Sequence, residues 1–326
     1  MIYALSLLLA QHLTPDRAIL LHKRGEPVRY DFFSSTLHQG VLYFVDAEDR
    51  RILSCSLEPA ASDRGSLHPL PEFYRAAEGT TLCSLSSGPQ GLSWLEWNPK
   101  LNITELVIFS PESKALAHHA LGVQAGDLVQ RASGFLFVPS RVALSEGEAQ
   151  MAEIADWDQN LTQKTPWFSA RDSAAGTTLG LWQEEALQGA KEGSRQLMGC
   201  LLNLRYQPGG RLLCFNRRGF LLSLHRETKV ELATRIELPE GGELLDAVDL
   251  GRGILVGIRV PTHYAFTANL PAETPCNHLW LLDYQGQVIE KYTAARYEDP
   301  LRLHLVDEHL VIVNDLAVLF YRLPGL

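Results

Sequence analysis

The side chains most able to do chemistry in this sequence are its eleven histidines, its five cysteines and a scatter of acids. His118-His119 looks like a metal-binding pair, but it falls in an extended run, Ala115 to Leu121. Alternate side chains of a strand face opposite sides, so this pair cannot close on one ion. His263 stands beside Tyr264 and Phe266 in a loop bounded by Pro261 and Pro275, where contact with a ligand is open to it. A serine hydrolase would need a Gly-x-Ser-x-Gly elbow, and a zinc peptidase a His-Glu-x-x-His helix. A nucleotide site would need a Walker loop or a glycine fingerprint leading into a helix. None of these occurs. Gly251-Arg-Gly-Ile-Leu-Val-Gly257 carries the glycines without a following helix, and reads as a turn entering a close-packed strand.

Cys55, Cys83, Cys200, Cys214 and Cys276 are odd in number and widely spaced, with no Cys-x-x-Cys among them. They indicate neither a disulfide framework nor a zinc site. Four sit inside apolar runs, as buried reduced thiols do, which points to a reducing compartment. Asn102-Ile-Thr104 and Asn160-Leu-Thr162 match the glycosylation tripeptide, which acquires meaning only in a secretory setting. No metal and no cofactor are expected.

The 326 residues carry a net charge of −9 and no run of basic residues, only isolated pairs such as Arg217-Arg218. Phosphate backbones demand concentrated Lys and Arg, so nucleic acid is excluded as the expected partner. Met1 to Ala10 is apolar like the core of a signal peptide but lacks the basic residues that precede one. No other stretch is apolar enough to span a bilayer, and a cytoplasmic location is expected.

Short apolar or alternating runs recur along nearly the whole chain, broken by Gly, Pro, Asp and Asn. The most regular unit is a hairpin: Cys276 to Asp283, a turn at Tyr284-Gln-Gly-Gln287, then Val288 to Thr293. Similar hairpins are read at Thr104–Ser110/Ala115–Leu121, Met151–Asp156/Leu161–Thr165, Gly219–His225/Val230–Leu238 and Arg51–Leu57/Ser66–Phe73. Each follows another pair of strands, the second of which usually opens with glycine: Gly40, Gly91, Gly134, Gly210 and Gly253, with His309 in the sixth unit. These openings recur at about 54 residues, in the range of propeller repeats. First strands are placed at Tyr30–Ser35, Leu82–Ser86, Leu128–Ala132, Leu201–Tyr206, Leu244–Asp249 and Leu301–Val306.

Six units of four strands make residues 1–326 one all-β domain, a six-bladed β-propeller; the number rises to seven if segment 169–199 is a degenerate blade. The last unit ends after its third strand, Leu316 to Arg322, and a surplus strand, Ala18 to His22, precedes the first complete unit. If the surplus strand completes the last blade, the ring closes and no edge is left unfinished.

Leu42-Tyr43-Phe44-Val45-Asp46 followed by Arg51-Ile52-Leu53 resembles the Tyr-Trp-Thr-Asp strand pair of six-bladed propellers, a group that includes the NHL and regucalcin-like propellers. That resemblance implies the same architecture. Its hydrolase members hold a divalent cation in the central channel through acids and asparagines of the inner strands. The corresponding candidates are Asp31, Asp127, Asn203, Asp246 and Asp249, and their offsets within the units differ. Hard cations need convergent oxygens, so these scattered groups do not predict a metal.

Outer-hairpin turns of about four residues leave one face of the ring plain. The other face carries the blade-3 loop 139–150, the blade-5 loop 261–275 and the insertion 169–199 between blades 3 and 4, where a helix is predicted near 182–198. Trp182, Ala186 and Ala190 share one side of that helix, with Gly189 and Gly193 weakening it; a short surface helix packing its Trp on its own propeller is expected ahead of a partner-binding helix. Long connections clustered on one face point to a contact surface. The expected function is therefore non-enzymatic: a protein-binding or scaffold propeller, a subunit of a larger assembly. Arg141, Glu146, Glu148, Trp182, His263, Tyr264 and Phe266 are the candidate partner-binding residues. The alternative is a lactonase-like hydrolase with a divalent metal in the channel.

Overall fold

The computed structural model describes residues 11–22, 32–46, 48–58, 67–121, 125–139, 142–145, 148–151, 154–166, 173–193, 202–207, 210–225, 229–259, 276–295, 302–314 and 317–323. Its four-stranded units form six blades around an axis. Blade 1 comprises Phe32–His38, Val41–Asp46, Arg51–Ser56 and Glu72–Arg75; blade 2, Thr81–Gly88, Gly91–Asn98, Ile103–Ser110 and Ala115–Leu121. Blade 3 comprises Ala125–Arg131, Gly134–Pro139, Ala155–Asp158 and Lys164–Pro166; blade 4, Asn203–Gln207, Arg211–Phe215, Phe220–His225 and Lys229–Arg235. Blade 5 comprises Glu243–Asp249, Ile254–Arg259, Cys276–Leu282 and Val288–Ala295. Blade 6 takes Arg302–Val306, His309–Val313 and Ala317–Arg322, and its fourth strand is the N-terminal Arg17–His22, antiparallel to the third. The closure read from the surplus strand is the one observed.

Blades pack face to face, so both faces of each sheet are buried and the strands read as nearly continuous apolar runs. In Val41–Asp46, Leu42 and Phe44 join a cluster shared with blade 6, while Val45 joins one shared with blade 2. Six such clusters fill the six gaps between neighbouring blades. The glycines that open second strands are steric requirements where they meet the third strand. At Gly91 and Gly134, both at positive φ, a Cβ would overlap the carbonyl oxygens of Phe109 and Trp157.

Two outer strands and the helix differ from the sequence expectation. In blade 3 the hairpin turns at 159–163 rather than 157–160, because the Asp158 carboxylate accepts the amides of Thr162 (2.7 Å) and Gln163 (2.8 Å). Met151 belongs instead to a small separate hairpin, Val142–Ser145 with Glu148–Met151. In blade 1 the fourth strand is Glu72–Arg75. Leu67–Pro69 leaves for blade 6 and pairs in parallel with the closing strand. That strand is thus held on both sides. A further segment, Gln11–Leu13, adds in parallel to the outer strand of blade 5.

The insertion between blades 3 and 4 is a helix, α1, over Ser173–Glu192, and it contributes no strand among the described residues. It starts earlier than composition suggests and stops where Gly193 takes a φ of 117°. Trp182 and Gly189 are buried on its inward side and Glu185 is half-buried; the side chains of Ala186 and Ala190, expected beside Trp182, lie outside the described set.

Deleting residues 1–22 removes both the closing strand and the segment on blade 5. The truncated chain should aggregate or melt at clearly lower temperature, as read by size-exclusion chromatography and thermal denaturation. A truncated chain that stays monodisperse with an unchanged melting curve would contradict this closure.

Candidate functional site

An inner strand pairs on one side only, so every second amide points toward the axis and needs an acceptor there. Side chains of the preceding blade supply it. Ser34 Oγ accepts from Leu85 N (3.1 Å), Ser84 Oγ from Leu128 N (3.2 Å), Asp127 Oδ2 from Leu204 N (3.1 Å) and Asp246 Oδ2 from Leu303 N (2.8 Å). Four of the six blade junctions are clasped in this way.

At the junction of blades 4 and 5 a cation takes over. Arg205 donates through Nε and Nη2 to the two Asp246 oxygens at 3.0 and 2.7 Å, and through Nη1 to the Ser35 carbonyl at 3.1 Å. One guanidinium therefore ties blades 4, 5 and 1 across the channel. Burial works to raise the Asp246 carboxyl, but the Arg205 charge and hydrogen bonds outweigh it and hold the group below the usual carboxylate range. At the junction of blades 6 and 1, Ser35 Oγ and His304 Nε2 lie 2.9 Å apart. Burial, reinforced by the Arg205 charge, pushes the His304 imidazole down to about 3.

This Ser–His contact is not an activated nucleophile. Ser35 is 1 % exposed, and an imidazole that protonates only near pH 3 is too weak a base to activate a hydroxyl at neutral pH. Of the candidate cation ligands, Asp127 and Asp246 are engaged by amides, Ser84 and Arg205. Asp249 accepts from Tyr284 Oη (2.6 Å) and Gly251 N (2.9 Å), and Asp31 lies outside the described residues. Among the described residues no three His, Cys, Asp or Glu gather as a metal site.

The offsets of these axis residues correct the sequence reading. Ser84, Asp127, Asn203, Asp246 and Arg302 each stand seven residues before Gly91, Gly134, Gly210, Gly253 and His309, so three of the five candidates do share a register. Counting back from the second strand would have found Asp127, Asn203 and Asp246 together. Arg205 and His304 carry no such signal, since each reads as one of the alternating polar positions of its strand.

The channel widens to a cavity of about 500 Å³ where the inner strands turn back, lined by Thr36, Ser87, Arg205, Tyr206 and His304 on a wall that includes Leu37 and Leu305. It opens on the face of short turns, opposite the elaborated one.

On the elaborated face, α1 packs beside Glu148–Met151 and the outer strand of blade 4. Trp182 is 1 % exposed, inserted between blades 3 and 4 among Val138, Ile154 and Leu202. It anchors the helix and offers no ring to a partner, which corrects its assignment as a contact residue. Glu185 pairs with Arg235 at 2.7 Å and lies 3.4 Å from Asn216 Nδ2, pinning the helix to blade 4. The outward side carries Leu181, 61 % exposed, with Glu184, Gln188 and Lys191. Glu148 lies in the hairpin strand next to α1. Arg141, Glu146, His263, Tyr264 and Phe266 lie outside the described residues.

No protein-family model matches the chain, and no curated protein matches it. Solved structures do. A protein from Bacteroides fragilis superposes with a TM-score of 0.54 at 8 % identity, over 97 % of this chain and 99 % of that one. The Cps50 (Swd1) β-propeller domain of Myceliophteria thermophila aligns at 0.44 and 10 % identity, over 91 % and 98 %. BamB from Moraxella catarrhalis aligns at 0.43 and 11 %, over 98 % and 93 %. At such identities the likeness is one of fold. Among the described residues no helix is long and apolar enough to cross a membrane.

Asp246→Asn leaves the Arg205 cation buried without its counter-charge and should cost about 3–5 kcal/mol in denaturant unfolding. The second expectation concerns acid. The His304 pKa is lower folded than unfolded, so between about pH 6.5 and pH 3 the unfolded chain binds the extra proton and stability drops as the pH is lowered. His304→Gln should flatten that slope, by on the order of 2 kcal/mol at pH 5, in unfolding free energies measured at pH 7 and pH 5. Parallel slopes for the two proteins would refute the assignment.

Proposed function

We propose that residues 1–326 form one non-enzymatic binding propeller, which takes a protein partner on the face built up over blades 3 and 4. One observation carries this reading: two insertions from different places in the chain, the hairpin 142–151 and α1, pack together instead of lying apart as separate loops. Ordering some twenty residues of helix requires compensation. Trp182 and the Glu185 pairs provide it from below, and the outer side is left as a rigid polar surface with Leu181 near its middle. Rigid surfaces with a single exposed apolar anchor suit partner docking, where preorganisation limits the entropy lost on binding.

Arg141, Glu146 and Glu148 belong to this surface in the proposal, as polar groups at its rim. His263, Tyr264 and Phe266 extend it over blade 5. A hydrolase reading has weaker support, because the axis acids are engaged in clasps and the one Ser–His contact is closed off. The cytoplasmic placement rests on the thiols: Cys55, Cys83 and Cys214 are free, and Cys55 and Cys214 are buried.

The test is affinity capture from native extract with three proteins side by side. Wild type should recover a stoichiometric protein that Leu181→Asp loses, with affinity lowered at least about tenfold and the melting temperature unchanged. Trp182→Ala should instead lower stability by about 3–5 kcal/mol. Gln285→Arg, in an exposed turn of the plain face, should bind normally; if it alone loses the partner, the docking face is the opposite one.

A further inference from the structure

The outer rims of the six blades are not treated alike. Blade 5 has its rim covered by Gln11–Leu13, and blade 6 by Leu67–Pro69. The outer strand of blade 1 is four residues long with Glu72 and Arg75 at its ends, and that of blade 3 is three residues ending in Pro166. Blade 4 presents seven residues, but Lys229, Glu231 and Arg235 charge them, the ladder is interrupted by a bulge, and α1 lies beside it. Short length, charge, proline, bulges and cover are the devices by which proteins keep sheet edges from pairing with other chains.

Among the described residues blade 2 has none of them. Its outer strand, Ala115-Leu-Ala-His-His-Ala-Leu121, is seven residues long, regularly paired along its whole length with Thr104–Ser110, and free of Asp, Glu, Lys, Arg, Pro and Gly. It ends its sheet, and every residue from Ala115 to Ala120 except His119 is exposed. Leu116 is 44 % exposed. Leu101 and Ile103 of the same blade are exposed as well, so blade 2 holds half of the six large apolar side chains on the described surface.

We propose that this rim pairs with the same rim of a second copy, antiparallel about a two-fold axis at His118. His118 is the midpoint of the strand, so this register alone pairs all seven residues. It sets Ala115 against Leu121, Leu116 against Ala120 and Ala117 against His119, a small side chain facing a large one in each pair. An isologous contact of this kind closes on itself as a dimer. The chain's own charge favours like meeting like here rather than elsewhere. At a net charge of −9 two copies repel, and this strand brings no acid of its own to the contact. On each copy the neighbouring acid, Glu105, lies 3.4 Å from His118 Nδ1.

Light scattering coupled to size-exclusion chromatography, on the full chain between about 1 and about 100 μM, should show the mass rise from one chain to two, as a modest edge interface requires. Ala120→Lys, an exposed substitution that opposes a charge to Leu116 of the second copy, should stay at one chain mass with its melting curve unchanged. Register is read by His118→Cys. In the proposed pairing the two substituted positions face each other and should cross-link under oxidised glutathione at least about tenfold faster than Ala115→Cys, whose copies stand roughly 20 Å apart. A chain that remains monomeric throughout the range overturns the proposal. So does a dimer that survives Ala120→Lys, or one in which the two cysteine variants cross-link equally.

Discussion

A sheet that buries both faces must find a neighbour on each, and six such sheets satisfy the requirement only by returning to the first. Closure is therefore the interaction on which the rest of the structure depends. It is made by a strand from the far end of the chain, Arg17–His22, whose Ile19 and Leu21 enter the cluster between blades 6 and 1. The chain holds this strand on its other side with Leu67–Pro69, so that residues near the start, the first blade and the last blade are paired in one sheet. Since unfolding any blade exposes the faces of two others, the ring melts as a unit rather than blade by blade, in contrast to open repeat arrays.

Closure creates a second problem at the axis, where inner-strand amides face one another with no strand between them. Hydroxyl and carboxylate clasps solve it at four junctions, and an Arg205–Asp246 pair and a Ser35–His304 contact lie at the other two. Buried ion pairs stabilise weakly over an apolar alternative, yet losing one partner is severe. Their use here is geometric: the planar guanidinium of blade 4 bonds to blades 5 and 1 at once and sets the relative positions of all three. Asp127, Asp246 and Arg205 at the axis thereby hold neighbouring blades together.

The chain builds its periphery with evident asymmetry. One face carries a helix fastened by a buried tryptophan and by charge pairs, and the opposite face carries plain turns around the mouth of the channel. Five rims are shortened, charged or covered, while blade 2 keeps a long uncharged edge. The proposed docking face and the proposed self-pairing rim are separate surfaces and would not compete for space.

Much of the architecture was legible because it rests on local pattern. Gly91 and Gly134 stand where a Cβ would strike the next strand, so glycine recurs at the start of the second strand and the repeat can be counted. The surplus strand before blade 1 and the missing strand after blade 6 declared the closure, since an unpaired edge at either end is untenable. What depends on distance along the chain was not legible. Asp246 reads as one acid among several until Arg205, forty-one positions away, is seen to meet it. Trp182 reads as an aromatic that either packs on the propeller or meets a partner until blades 3 and 4 open a slot for it. Leu67–Pro69 reads as part of blade 1 until the closing strand of blade 6 offers it a free edge. Sequence by itself determined the repeat and the way the ring closes, because periodicity and steric need act between neighbours, while the count of six rather than seven blades waited on the helix found in the insertion. Only the tertiary structure decided which polar residues are partners and which apolar ones are hidden, because burial and pairing belong to the space between elements.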